Sequence, residues 1–389
     1  MAKIIHLITE TNTGGAETML YRLISNMKPG FENVVVSMID KGSIAARIEA
    51  LGIKVYALRS KRGKLGPAAF FKLIQIFSKE KPQVLQTWLY HADLFGLLAA
   101  KITGIKIILW NIRCSCVDIK KFPLFKKIIF RVMVYLSRIP QAVVFNSAAG
   151  IATHRRIGYR PRKSVIINNG LDLNTFYPKL SERKKLKEKI FGESYPIVIG
   201  SVSRFDPLKD HQNFLRGIKI FSDRYPEIDN VKFIFIGLGM NNNNFLLNLV
   251  KSLEIREKVI FMDERDDIQD IMPGFDIYCS SSCSEGFPNT IGESMACGVP
   301  CVATDAGDSA LLIDKTGIIV PIKDSVALAS AWHEMILMGE EKRQGLGILA
   351  RKRIELNFSI GQIARQYETL YTDLIKDSTG TFYAGITNE

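Results

Sequence analysis

The 389-residue sequence predicts an α/β protein made of two parallel-sheet domains. Three features predict it. Short apolar runs alternate with longer helical patterns through the first half of the chain. A turn-rich, charged stretch then breaks the pattern, and the same alternation starts again. Strands of roughly five residues alternating with helices mean βαβ units and hence parallel sheets.

In the first half, "KIIHLIT" reads as a strand that runs into a turn and a helix starting near Glu17. "NVVVSMI" and "KVYAL" are strands with the helix "SIAARIEALG" between them. "PAAFFKLIQIFSKE", "HADLFGLLAAKITG" and "LFKKIIFRVMVYLSR" read as helices, and "PQVLQTW", "IKIILW" and "QAVVFN" as strands. The break is "NNGLDLNTFYPKLSERKKLKE". After it come the strand "PIVIGSVSR", a helix near Gln212 to Arg224, "VKFIFIG", a helix from Asn244, "KVIFM", "FDIYCSS", a helix from Thr290, and "PCVATD". The expected domains are 1–175 and 176–358, with a helix over 359–376 completing the first and a mobile polar tail over 377–389. Two such domains would enclose a cleft between the carboxyl ends of their sheets, where open α/β sheets bind ligands.

Composition narrows the class. With 47% hydrophobic and 23% charged residues the chain is globular. No apolar run approaches the roughly 18 residues that cross a bilayer. "MAKIIHLITE" reads as a first strand rather than a signal peptide. The six cysteines lack metal-ligand spacing, so no metal site is expected, and they fit a reducing cytosol. Charge is uneven: residues 1–175 carry 27 Lys/Arg against 9 Asp/Glu, and the remainder 25 against 30. A basic first half points to a polyanion as partner. No nucleic-acid-binding signature accompanies the charge, so nucleic-acid binding ranks low.

Three stretches carry chemistry. In "EGFPNTIGESMACG", Gly286 and Pro288 place Glu285 in a loop, and Thr290-x-x-Glu293 has the form of a capping box. On spacing alone, Glu293 is a capping carboxylate and Glu285 a surface charge. Yet this helix follows the strand "FDIYCSS", and its N-terminus at the carboxyl end of the sheet favours a phosphate. In "GSVSRFDPLKDHQNF", Arg204 and Lys209 flank a proline turn between strand and helix, where two cations can clamp a diphosphate. The alternative is a solvated loop. In "TETNTGGAETML", Gly14 and Gly15 let backbone approach a ligand, or form a plain tight turn. The Walker and dinucleotide-binding patterns are both absent.

Taken together, "GGAE", "NNGLDLNTF", "SVSRFDPLKD", "DERDDI" and above all "EGFPNTIGESMACGVPCVATDAGD" resemble glycosyltransferase family 4, retaining sugar transferases of the GT-B fold with two Rossmann-like domains facing each other across a cleft. The resemblance implies that Glu285 lies against the donor sugar and Glu293 holds the ribose. It places Asn289, Thr290 and Ile291 at the diphosphate, Arg265 near the base, and Gly15 at the phosphates from the other domain. Arg204 and Lys209 become the pair that stabilises the departing diphosphate, so no metal or other cofactor is required. The expected donor is a UDP-sugar and the acceptor a lipid-linked or other glycan of the cell surface. Many relatives have a histidine after the strand that is here "IKIILWNIRCS". This chain has Asn111, Ile112 and Arg113 there, and Arg113 is a candidate for an acceptor phosphate. His91, at another strand-to-helix junction, is a second acceptor candidate, although a lone histidine is more often structural.

Between Arg113 and Arg138, Lys120, Lys121, Lys126, Lys127 and Arg131 interleave with Phe122, Phe125, Ile129, Val132 and Leu136. The bland reading is an amphipathic helix with a wet face. The sharper one is a basic helix that docks on an anionic membrane, placing the protein at the inner face of the cell membrane. Two further enzyme classes compete. A nucleotide-sugar epimerase can share the architecture, and a glycosidase would use Glu285 and Glu293 roughly 5 to 10 Å apart without a diphosphate clamp.

Overall fold

The computed structural model describes residues 1–12, 14–61, 65–115, 123–192 and 195–379. The first unit opens with β1 (Ala2–Ile8), α1 (Gly15–Ser25), β2 (Phe31–Ser37), α2 (Ser43–Glu49), β3 (Lys54–Ala57), α3 (Pro67–Glu80) and β4 (Val84–Trp88). It continues with α4 (Tyr90–Thr103), β5 (Ile107–Ile112), α5 (Leu124–Leu136), β6 (Ala142–Phe145), α6 (Ala148–Arg156) and β7 (Ser164–Ile166). The second unit holds α7 (Leu180–Phe191), β8 (Ile197–Val202), α8 (His211–Arg224), β9 (Val231–Ile236), α9 (Asn244–Ser252) and β10 (Val259–Met262). Then come α10 (Ile268–Ile271), β11 (Ile277–Ser280), α11 (Asn289–Ala296), β12 (Cys301–Thr304), α12 (Ser309–Ile313), β13 (Gly317–Val320), α13 (Ser325–Leu337) and α14 (Gly339–Asn357). The last helix, α15 (Ile360–Thr379), returns to the first unit.

Each unit has one all-parallel sheet, ordered β3-β2-β1-β4-β5-β6-β7 in the first and β10-β9-β8-β11-β12-β13 in the second. The strand order reverses beside β1 in one and beside β8 in the other. Helices cover both faces of each sheet, so the strands are apolar on both sides and read as unbroken hydrophobic runs rather than alternating ones. β9, "VKFIFI", has every residue buried except Lys232. Two apolar clusters per unit, one for each face of the sheet, make up the core.

The units are Met1–Gly170 with Ile360–Glu389, and Leu171–Ser359. The boundary therefore precedes residue 175. Leu171 and Phe176 are buried in the second core, and the Leu171 N–H donates to the Phe358 carbonyl at 2.9 Å. Part of the turn-rich stretch is thus core rather than linker, and its charged end forms α7. α15 runs through Thr379, so the expected tail is helical over 377–379, and residues 380–389 lie outside the described residues.

α15 is amphipathic and buries seven residues in the first core, including Tyr367 and Tyr371 at 0% exposure. Tyr371 donates to Gln86 Oε1, and Asn111 donates to the Tyr367 hydroxyl at 3.0 Å, so the last helix is tied to β4 and β5. Cys279, Cys297 and Cys301 are buried small apolar residues, and burial pushes the thiols of Cys297 and Cys301 up to about 12. Cys116 lies outside the described residues. Among those residues no helix is long and apolar enough to cross a membrane.

Candidate active site

In the second unit, the loops leaving the carboxyl ends of β8 and β11 lie side by side at the point where strand order reverses. Open α/β sheets form a ligand crevice at such points. The β8 loop makes a short 3₁₀ turn over Pro207–Lys209, capped by Asp206, whose Oδ1 accepts from the Leu208 N–H at 2.9 Å. Arg204 donates from Nε and Nη2 to Asp206 Oδ2, at 3.2 and 2.8 Å. Burial works to raise the Asp206 pKa, but the Leu208 N–H and Arg204 outweigh it and hold the carboxyl below its usual range. Lys209 ends the turn and reaches Glu285, with Nζ 2.5 Å from Oε1. Ser282 donates to the same oxygen at 2.7 Å.

These loops are zipped together. The Cys283 N–H donates to the Leu208 carbonyl at 2.8 Å, and the Ser281 hydroxyl donates to the Lys209 carbonyl at 2.8 Å. Two glycines make the fit possible. Gly237, after β9, lies so close to the β8 loop that a Cβ there would sit 2.1 Å from the Ser203 carbonyl oxygen. Gly307 has φ of +61°, and a Cβ on it would sit 2.2 Å from the Glu285 carbonyl oxygen. Below the loop, His211 is buried and shares a 3.0 Å hydrogen bond with the Ser203 hydroxyl. Burial first, and Lys209 second, push its pKa down to about 4.

The α11 helix starts next to this cluster in sequence, at Asn289. The expected capping box does not form. Pro288 is the N-cap, no side chain caps the helix, and Thr290 lies inside its first turn. Proline fixes the entry backbone by itself, so the threonine hydroxyl is released to the Tyr278 phenol. Ile291 is fully buried, so any ligand contact it makes is through its backbone, whereas Asn289, Thr290 and Glu293 are half-buried. The first N–H groups of any helix have no carbonyl within it, and they favour an anion.

At the parallel-sheet switch point the structure thus brings together Arg204, Asp206, Lys209, Ser282 and Glu285, and α11 with Glu293 follows them in the chain. Two family models match the chain: "Glycosyltransferase Family 4" over residues 13–175 and "Glycosyl transferases group 1" over residues 196–337. The chain belongs to the family 4 glycosyltransferases.

Similar proteins agree. An N-acetyl-α-D-glucosaminyl L-malate synthase of Bacillus anthracis is 29% identical over 58% of this chain and 57% of its own length. The match therefore spans little more than half of that relative. A UDP-Gal:α-D-GlcNAc-diphosphoundecaprenol α-1,3-galactosyltransferase of Escherichia coli is 22% identical over 79% of each chain. The solved structure of Anabaena HepE in complex with UDP superposes with a TM-score of 0.82 at 22% identity, covering 95% of this chain and 100% of that one. It shares the GT-B architecture of two Rossmann-like units.

The glycosyltransferase places its remaining candidates separately. Arg265, in the loop after β10, is exposed and lays its guanidinium along Asp267 with two bonds of 2.7 and 2.6 Å. In the first unit, Gly15 is the first residue of α1, so that helix begins two residues earlier than expected. Its N-cap Gly14 is extended, with φ of −170°. His91 is exposed on the first turn of α4. Arg113, just past β5, is drawn inward. It donates to Asn169 Oδ1, lies 3.5 Å from both Asn111 Oδ1 and the Tyr367 hydroxyl, and places its guanidinium 5.4 Å from the centre of the Trp88 ring. Burial lowers its pKa while Tyr367 and Glu17 support the charge.

Sequence reasoning missed Asp206, Ser282 and Gly307. Asp206 follows Arg204 by two residues, the spacing that lets a carboxylate both cap a turn and receive the arginine fork. Ser282 and Gly307 carry no local signal, because their roles depend on loops from different strands meeting.

Proposed function

We propose that the protein moves a sugar, with retention, from a UDP-sugar to a lipid-linked glycan acceptor in bacterial surface-polysaccharide biosynthesis. The observation that carries the reading is the Lys209–Glu285 pair beside Arg204 at the β8/β11 switch point, with α11 following on the same loop. Both cations rest on carboxylates of the protein itself, Arg204 on Asp206 and Lys209 on Glu285. An arriving diphosphate competes for them with more oxygens and more charge. As the glycosidic bond breaks, negative charge builds on the departing diphosphate, and fixed cations with a helix N-terminus are the electrostatics that this step needs. Those groups supply the positive charge that a metal ion would otherwise provide, so the reading is metal-independent. Glu285, released from Lys209, faces the donor sugar. Glu293, on the first turns of α11, takes the ribose hydroxyls, and Arg265 lies near the base.

The names of relatives support the donor and acceptor classes. The Escherichia coli enzyme is named for UDP-Gal and a diphosphoundecaprenol acceptor, and the Anabaena structure contains UDP. The Bacillus anthracis enzyme is named for L-malate, a small soluble acceptor. One feature of this chain favours the lipid. The α5 helix buries Phe130 and Met133 but exposes Leu124, Ile128, Val132 and Tyr135 along one stripe at helical spacing. Lys127 and Arg131 interleave with the stripe and Arg138 follows the helix. An apolar stripe with cations between suits an anionic bilayer surface. Lys120, Lys121 and Phe122 lie outside the described residues, as do the side chains of Phe125 and Lys126. His91 and Arg113 are assigned to the acceptor side.

The deciding experiment incubates the protein with UDP-sugars and a polyprenyl-diphosphate-linked sugar. Acceptor-dependent release of UDP, unchanged by EDTA, and a product whose anomeric signal matches the donor's are expected. UDP-sugar isomerisation without an acceptor would instead identify an epimerase. For the membrane, flotation with anionic but not neutral vesicles is expected, and it should be lost in the Ile128→Asp, Val132→Asp double variant.

A further inference from the structure

On the opposite edge of the same sheet, at the amino ends of β11 and β12, lies a pocket of about 530 Å³. Phe275, Val299 and Ile348 give it apolar walls. Among its described lining residues are five cations, Lys179, Arg183, Arg343, Arg351 and Lys352, and two carboxylates, Asp276 and Glu355. Most of these charges are matched. Arg183 and Lys187 hold Asp276, Lys179 holds Asp270 from outside the pocket, and Arg351 donates to Glu355 at 2.6 Å.

Arg343 differs. It is 7% exposed, and its Nη1 donates to the carbonyls of Met335 and Ile336 at the end of α13, at 3.4 and 2.9 Å. Its Nε is buried with no hydrogen-bond partner. Among the described residues no carboxylate forms an ion pair with it, and burial lowers its pKa against the distant support of Asp276 and Glu340. A buried guanidinium without a contact anion is costly unless something supplies the charge. Lys352, exposed at the rim, adds a second positive group.

We propose that this pocket is a second ligand site, one that takes an organic phosphate with an apolar body, and that its occupancy is felt at the donor site through α11. The walls suit the body, and cations that surround the space from different helices suit a tetrahedral oxyanion better than a single carboxylate. The route to the donor site is short. Arg351 also donates from Nη1 to the carbonyls of Phe176 and Ala296, at 2.7 and 2.8 Å, and Ala296 is the last residue of α11. A phosphate that draws on Arg351 changes the anchoring of one end of a two-turn helix whose other end begins at Asn289. Only this coupling rests on the donor-site reading; the binding does not.

The test uses the full chain with phenyl phosphate as probe, inorganic phosphate and phenol as controls, and saturating UDP to fill the donor site. Calorimetry should find one phenyl phosphate bound while UDP is present, with both controls at least about tenfold weaker. Lys352→Glu should weaken the probe about tenfold, the scale of one charge-assisted hydrogen bond, and leave ligand-free Tm and basal turnover unchanged. Arg343→Lys, which keeps the charge and loses the fork, should weaken it as well. Absent binding, or binding that UDP abolishes and Lys352→Glu does not alter, overturns the site. UDP affinity that is the same with and without the probe overturns the coupling. If UDP itself fails to bind, the donor-site reading falls while the probe's dependence on Lys352 still decides the pocket.

Discussion

At the scale of the residue, the proposed mechanism rests on Arg204 and Lys209, which in it would meet charge that exists only as the donor bond breaks. Replacing either with alanine should lower kcat by roughly 10²- to 10³-fold with a smaller change in donor KM. Glu293→Ala should instead raise donor KM by about tenfold or more and spare kcat, since the proposed ribose contact would be made equally in ground and transition states. Steady-state kinetics with varied donor separates the two, and unchanged turnover in both cation variants would remove them from the mechanism. A second residue-scale prediction concerns pH. Burial pushes both His6 and His211 down to about 4. His6 accepts from the Trp88 indole N–H at Nδ1 and donates from Nε2 to Asn33, so it is held neutral. An unfolded histidine binds its proton near 6.5, so the unfolded chain takes up protons first as pH falls. The stability these neutral histidines contribute is complete above pH 6.5 and is lost between 6.5 and 4. Tm should fall over that window, and His6→Gln should make the slope shallower; a flat profile would count against it.

At the scale of the element, loops rather than helices decide the site. Gly307→Ala introduces a side chain at positive φ and a contact with the Glu285 carbonyl that cannot be relieved without moving the loop. About 1 to 3 kcal/mol of stability should be lost, with a larger loss of activity because Glu285 and Lys209 move with it. Denaturant titration and turnover check both. Elements were legible where burial is two-sided. The runs "VKFIFI" and "KIIHLI" can only be buried strands once helical stretches flank them. The start of α11 was not legible, because a capping box and a proline entry compete for the same residues and only the backbone decides between them.

At the scale of the molecule, the chain crosses from the first unit to the second and returns, and α15 is the return. It supplies seven residues to a core whose sheet is complete at Ile166, 194 positions before the helix begins at Ile360. Ending the chain after Ser359 should therefore open that core and abolish folding of the first unit. Soluble expression and hydrogen exchange in β1, β4 and β5 report this, and native-like protection there would show that the helix is dispensable.

By itself, the sequence determined the class of fold, the two sheets and the family, because apolar periodicity and short motifs are local properties of a chain. Tertiary structure alone decided that Lys209 pairs with Glu285, that Arg204 is held by Asp206, and that Arg113 is drawn under Trp88. It also decided that Arg343 is buried in a cationic pocket at the amino ends of β11 and β12. Each of these depends on residues far apart in the chain, or on loop geometry, and no periodicity records which loop ends will meet.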